Sequence, residues 1–239
     1  NQKESMYQKP ELLDQSTHGQ LRYTAQNTYH FARLQTTAPL LSEEIAEASA
    51  YYPIVFATDG SARPLALLGL RDQNVFIDEA GRWTAEYIPA FIRRYPFVFG
   101  QGAENPSKLF LAIDAAAPHF SGAGEALFTP EGEPAAVATS AMNFLTAYQT
   151  AANRTESAHQ SLLEAGVIVA KTLTQEIDQK VHAIGGFSVV DQEKLNALPD
   201  EKLAQWARSG LLATVYAHWA SLRHLQKVAL ASSRPASIN

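Results

Sequence analysis

Arg93 and Arg94 stand side by side in a block dense in aromatic residues: Trp83, Tyr87, Phe91, Tyr95, Phe97 and Phe99. A planar guanidinium meets a carboxylate through two parallel N–H···O bonds. An arginine set in aromatic surface is therefore suited to grip a peptide terminus or an acidic side chain. Ile88, Phe91, Ile92 and Tyr95 fall at i, i+3, i+4 and i+7, which is the apolar stripe of a short helix, and both arginines fall off that stripe. Pro89 suits the first turn of this helix, and Pro96 forbids its continuation. A plainer reading of the same residues stays open. Two cations at a helix C-terminus compensate its dipole and form salt bridges, and aromatic density is also what a core looks like.

The histidines are the other candidates for chemistry. His218 falls amid Leu211, Val215, Leu222, Leu225 and Ala229 on one helical face. His224, six residues on, falls roughly 120° away, so the two do not share a metal. A histidine on an apolar face must have a specific hydrogen-bond partner. It is either a structural residue bonded to a neighbouring element or a proton donor or ligand at a pocket floor. Tyr216 and Ser221 flank it and read as packing or capping contacts. A metal-dependent alternative would need His119, His182 and His218 to converge with an Asp or Glu. Asp114, His119 and Ser121 have the residue types of a catalytic triad, but loops are enriched in these types and the surface-loop reading is preferred.

Recognised motifs are missing. There is no HExxH, no Walker A sequence, and no histidine followed at the second position by Asp or Glu. Ser121-Gly122-Ala123-Gly124 carries its glycines on the wrong side for a nucleophile elbow. The run from Gly100 to Gly102 starts like a dinucleotide fingerprint but breaks off at Asn105. No cofactor, no metal site and no catalytic residue is assigned.

Bulk properties narrow the partners. A formal charge of −5, with no Lys/Arg run longer than two, argues against nucleic acid. The chain has no cysteine, which removes disulfides, thiol catalysis and Cys-based metal sites. No apolar run reaches the ~20 residues of a membrane span. The first eight residues lack a signal-peptide apolar core. The chain does not open on Met, so a leader lost upstream stays open. The expected location is cytoplasmic.

These residues must be positioned by elements that follow one another in meanders. Strands are expected at 21–23, 29–34, 53–57, 65–70, 74–78, 109–113, 126–128, 167–177 and 181–190. Asp59-Gly60 is a hairpin turn, and Ser42 with Glu43 and Glu44 opens a helix over 43–51. A long helix runs over about 135–165, with Met142, Leu145, Tyr148 and Ala152 on one face and Gly166 as its stop. Short helices follow Asp191 and Pro199, and the final helix covers about 211–231. This pattern predicts an α+β fold with antiparallel sheets packed against helices. Residues 1–17 read as a polar tail, 18–231 as one domain, with two lobes joined near 135–165 as the alternative, and 232–239 as a tail.

Several blocks, in order, resemble one family: Tyr52-Pro53-Ile54-Val55-Phe56, Ala66-Leu67-Leu68-Gly69-Leu70, Asn74-Val75-Phe76-Ile77-Asp78, Gly81-Arg82-Trp83 and the stretch 87–97. Leu127 to Gly132, Gly186 to Asp191, and Gly210-Leu211-Leu212 with Tyr216-Ala217-His218 and Ser221-Leu222 continue the series. Together they are similar to the SapC-like family of bacterial proteins, over about 18–228. The resemblance implies an association with a surface-layer locus, and with genes for TonB-dependent receptors, tryptophan-halogenase-like proteins and cupin or JmjC-like oxygenases. It carries no catalytic residue set. The expectation is a non-catalytic accessory protein that binds a protein or peptide, with self-association into a homo-oligomer also open. Its binding residues would be Trp83, Tyr87, Arg93, Arg94, Tyr95, Tyr216 and His218. The alternatives are a peptide-modifying oxygenase, or a subunit of one, and a structural protein of the surface coat.

Overall fold

The computed structural model describes residues 6–70, 73–101, 108–120, 122–177 and 180–233, with the side chains of 173–184 set aside. The end of the Gly100–Gly102 run, Ser121, residues 178–179, the His182 side chain and residues 234–239 lie outside the described residues. The polar N-terminus is, from Met6 onward, part of the fold rather than a loose tail. Met6 is buried, and Pro10–Leu12 forms a strand, β1. Asp14 then caps a one-turn helix, α1 (Gln15–His18), by accepting from the N–H groups of Ser16 and Thr17. The short strand β2 (Arg22–Tyr23) follows.

Residues 29–34, expected as a strand, contain a 3-10 turn over His30–Ala32 instead. Their backbone bonds stay local, from Ala32 N–H to the Tyr29 carbonyl and from Arg33 N–H to that of His30. A strand the pattern missed, β3 (Thr37–Pro39), is three residues long and ends on proline, which suits only an edge position. The helix expected over 43–51 is a 3-10 turn, Ser42–Glu44, running into α2 (Ile45–Ala48). β4 (Ile54–Phe56) and β5 (Pro64–Leu67) pair across the Asp59-Gly60 turn, with Ile54 opposite Ala66.

The strand expected at 74–78 shrinks to a single bridge between Ile77 and Trp83. Asn74 and Asp78 take backbone N–H groups with their own side chains, from Phe76 (3.0 Å) and Arg82 (2.8 Å), which competes with ladder pairing. The helix expected over 88–95 is one turn, α3 (Ala90–Arg93), followed by a cis Tyr95-Pro96 bond and a further strand the pattern missed, β6 (Phe97–Gln101). β7 (Leu109–Asp114) and the short β8 (Glu125–Ala126) complete the first half.

The long helix is α4 (Ala136–Glu164), closed by Gly166 at positive φ. Its buried face runs through Ala138, Leu145, Ala151, Thr155, His159 and Leu162. Met142, expected on that face, is 41% exposed. The hairpin β9 (Ile168–Ile177) and β10 (Lys180–Val190) follows, then α5 (Gln192–Asn196), capped by Asp191, and α6 (Asp200–Ser209). The final helix expected over 211–231 is broken into α7 (Leu211–Ser221), a 3-10 turn over Leu222–His224, and α8 (Leu225–Ser233). Ser221 bends it by donating its hydroxyl back to the His218 carbonyl at 2.6 Å.

The strands form three antiparallel groups: β1-β7-β6, β3-β5-β4-β10-β9 and β2-β8. With helices packed against them, this is the α+β architecture the meanders implied. The largest apolar cluster joins Leu40, Ile45, Tyr52, Ile54, Leu68, Ile92, Ile113, Leu127 and Leu145. A second, around Phe56, Leu162, Val190, Trp206 and Val215, lies under α6 and α7.

Candidate functional site

His218 solves a folding problem. β4 and β10 pair at a single position, Phe56 with Ser188, and part company beyond it. At Ile54 the strand therefore presents an N–H and a C=O with no strand partner on that side. α7 supplies both partners. Ser221 Oγ accepts from Ile54 N–H at 2.8 Å, and His218 Nδ1–H donates to the Ile54 carbonyl at 2.7 Å. On the other flank His218 Nε2 accepts from Val190 N–H at 3.2 Å, and Trp219 Nε1–H donates to the Val190 carbonyl at 2.8 Å. A carbonyl can only accept and a backbone N–H can only donate, so Nδ1 carries the proton, Nε2 carries none, and the ring is neutral. Burial holds His218 down at about 4, which favours the same neutral form. Both ring nitrogens are engaged by backbone, so His218 has none left for a metal or a substrate. Tyr216 stands apart from this seam: it is 56% exposed and rests edge-on against Trp219.

Trp83 and Tyr87 are also drawn into structure. Trp83 Nε1–H donates to Tyr52 Oη at 2.8 Å, and the Tyr52 hydroxyl donates to the Tyr87 carbonyl. The Tyr87 hydroxyl donates to Glu44 Oε1 at 2.5 Å. Glu44 is 4% exposed, a buried carboxylate that survives because donors surround it. Ala90 N–H reaches Oε1 at 2.7 Å and Leu41 N–H reaches Oε2 at 2.9 Å. Burial and the Glu44 carboxylate together push the Tyr87 hydroxyl well above its ordinary range. Glu44 thus ties the start of α3 to the turn before α2.

Asp114 plays the same part for the N-terminus. Fully buried, it accepts from the N–H groups of Gln8 (2.9 Å), Lys9 (2.8 Å) and Ala116 (3.2 Å) and from the Tyr95 hydroxyl (3.0 Å). These bonds leave it a pin for the N-terminal segment, not the acid of a triad. His119 packs among the rings of Tyr23, Tyr95 and Phe31, and burial lowers it to about 4.

Arg93 and Arg94, with Tyr95, open onto a cleft of about 490 Å³. Tyr23, Phe97 and Glu125 form one side of it, and Val137, Ala141 and Phe144 of α4 the other. Arg93 is exposed. Its Nε–H donates to the Ile88 carbonyl at 2.9 Å, and its guanidinium lies 5.7 Å from the Phe144 ring. Arg94 is half-buried, and its guanidinium sits 4.3 Å from the centre of the Phe91 ring, 5.3 Å from that of Tyr148 and 5.9 Å from that of Tyr7. So Arg94 does not face away from the apolar stripe but lies across one of its members. Its Nε is buried without a hydrogen-bond partner. Among the described residues, no carboxylate lies within 4.0 Å of either guanidinium, so the salt bridges expected at this helix end do not form. A helix of one turn also has little dipole to compensate.

The structure therefore brings Arg93, Arg94 and Tyr95 to one cleft. Trp83, Tyr87, Tyr216 and His218 do not line it. The surface-loop reading preferred for Asp114 and His119 fails, since both are buried, and sequence reasoning missed the buried role of Glu44 and the α4 wall. Glu44 carried a signal, an acid in a first turn, but that signal names a dipole contact and not a buried hub. A SapC family profile matches residues 13–228. No curated protein and no solved structure matches the chain.

Proposed function

The chain belongs to the SapC family, and we propose that it works by binding: it holds a protein or peptide partner through a carboxylate seated on Arg93 and Arg94. What carries this reading is two adjacent arginines in an aromatic cleft, neither with a carboxylate within 4.0 Å among the described residues, although Glu125 lines the same cleft. Three rings hold the Arg94 guanidinium in place and partly desolvate it. That lowers the entropic cost of gripping an anion and strengthens the bond once made. The apolar wall of Val137, Ala141 and Phe144 would take the side chain next to the carboxylate. The client class is the one the family resemblance implies, a cell-surface or TonB-dependent receptor protein, met in the cytoplasm before export. Calorimetry with a hydrophobic peptide carrying a free C-terminal carboxylate, and with its amidated twin, tests the reading. A charge-assisted bond contributes about 1.5–3 kcal/mol, so amidation or Arg94→Ala should weaken binding about 10- to 100-fold. Equal affinity for the two peptides would overturn it.

A further inference from the structure

Two cavities that border α4 treat their charges differently. One, of about 530 Å³, opens between the last turns of α4, the end of α6 and the first turn of α7. Its cation and its anion, Arg154 and Glu43, meet each other at 3.6 Å. The Arg93–Arg94 cleft also holds both signs, since Glu125 lines it. There the charges stay apart. Among the described residues no cation lies within 4.0 Å of the Glu125 carboxylate, and neither arginine has a carboxylate at that range. The cleft therefore has a positive pole and a negative pole with space between them.

Local structure fixes the negative pole. Glu125 opens β8, which pairs antiparallel with β2 so that Glu125 stands opposite Tyr23. The chain arrives there pressed against β2. A methyl group at Gly124 would lie 2.0 Å from the Tyr23 carbonyl oxygen, so this approach requires glycine. The Tyr23 ring packs in turn against Phe97 and Phe120, with centres 5.5 Å and 6.2 Å away. Burial, and after it the Glu125 charge, push the Tyr23 hydroxyl above its ordinary range, which keeps the phenol neutral. The pole is thus a carboxylate beside a neutral aromatic ring, and both attract an ammonium group. The α4 side of the cleft, with Val137 and Ala141, offers apolar surface on which a methylene stem can lie while its charged head stays wet.

Resting on the carboxylate grip proposed above, we propose that the cleft selects partners whose chain ends in lysine. The terminal carboxylate sits on Arg93 and Arg94, the methylene stem lies along Val137 and Ala141, and the ammonium pairs with Glu125 beside Tyr23. At about 490 Å³ the cleft falls within the roughly 300–1,000 Å³ of sites that hold a small ligand, so it takes a terminal residue and not a folded surface. Glu125 is the specificity-determining residue. It attracts the lysine head and repels a terminal acidic side chain, which two arginines alone would welcome.

Calorimetry on the whole chain at low ionic strength, where an exposed pair is screened least, tests this with four versions of one peptide. Three carry a free terminal carboxylate on lysine, norleucine or glutamate; norleucine has the lysine stem without the ammonium. The fourth is the norleucine peptide in amidated form. The lysine peptide should bind about two- to fivefold more tightly than the norleucine peptide, the range of an exposed ion pair, and the glutamate peptide more weakly than either. Glu125→Gln should erase the lysine preference, and Glu125→Lys should make the glutamate peptide the tightest of the three. Glu125 is exposed, so both variants should fold, which an unchanged melting temperature checks. If the norleucine acid outbinds its amide but lysine gains nothing over norleucine, or the lysine preference survives Glu125→Gln, the lysine proposal is overturned and the carboxylate grip stands. If the norleucine acid and amide bind alike or not at all, the grip itself fails, and the lysine preference with it.

Discussion

His218→Phe is the substitution that most directly tests how α7 closes the seam between β4 and β10. The phenyl ring is flat like the imidazole, though somewhat larger, and it removes both of its bonds. The Ile54 carbonyl and the Val190 N–H are then left without partners in a buried setting. An orphaned buried group costs about 1–3 kcal/mol, so the pair should cost roughly 2–6 kcal/mol. That is a large part of the 5–15 kcal/mol, roughly, that holds a domain folded. His218→Ala adds a cavity to the same loss and should be worse. Urea unfolding near neutral pH, with the slope unchanged, measures the gap.

The size of that gap should also depend on pH, and the sign is fixed by the structure. Folding lowers His218 from 6.5 to about 4, so between those values the unfolded chain binds a proton that the folded chain refuses. Stability therefore falls as pH drops through 6.5 and levels off near 4. A shift of this size corresponds to about 3 kcal/mol. The phenylalanine variant lacks the titration, so its deficit relative to the wild type should shrink by about that amount between pH 7 and pH 4. A deficit below about 1 kcal/mol at neutral pH, or one that does not change with pH, would refute the claim that His218 bridges the two strands as a neutral ring.

Three further outcomes follow from the packing. Glu44→Gln puts an amide N–H₂ among the donors of Tyr87, Ala90 and Leu41, and should cost about 2–3 kcal/mol in urea unfolding, since one donor must face another. Gly210 sits at φ +82° with nothing within 4 Å of where a methyl group would stand, so Gly210→Ala should cost only the backbone strain, about 1–2 kcal/mol; Gly81, at φ +80°, would also drive a methyl to 2.3 Å from His30, and Gly81→Ala should lower the melting temperature further. Arg94→Ala removes a ring-stacked cation and should cost no more than about 1–2 kcal/mol of stability by thermal denaturation; a larger loss would make Arg94 a brace for Phe91, Tyr148 and Tyr7 and not a recognition residue.

The sequence made the long elements legible and the short ones obscure, for a physical reason. α4 and the β9–β10 hairpin carry many residues of one period bounded by Pro134, Gly166 and Asp191, so the pattern averages over local exceptions. β3, β6 and the 3-10 turns hold three to five residues each, and at that length tertiary partners decide. The 74–78 segment shows the limit clearly. Val75, Phe76 and Ile77 form the short continuous apolar run of a buried strand, but Asn74 and Asp78 close their own turns first. Periodicity also placed Met142 inward, although the face that packs is the one through Ala138, Leu145 and Ala151. Burial of Glu44 and Asp114 could not be read at all, because their donors are tyrosine hydroxyls and backbone N–H groups, some from segments as much as 106 residues away.

The blocks that resemble the family meet the residues lining the two cavities only at Arg93, Arg94, Tyr95, Phe97, Gly210 and Leu211; most of the others serve the frame. Tyr52, Ile54, Trp83, Tyr87, His218 and Ser221 are joined by directional bonds that close gaps in the sheet and fix the entry to α3. Such positions tolerate few residue types, since each must offer a particular donor or acceptor at one spot in a buried setting. The cavity walls are built otherwise: Val137, Ala141, Arg154 and Ser161 lie along α4, on a rigid rod whose inner face packs into both apolar clusters through Leu145 and Leu162. If the wall at the Arg93–Arg94 cleft binds as proposed, changing an outer residue there should alter binding and leave folding intact. The resembling blocks in this chain therefore lie mostly in the frame, and the stretch 87–97 is the exception, since it carries both the buried bond of Tyr87 and the arginines that line the cleft.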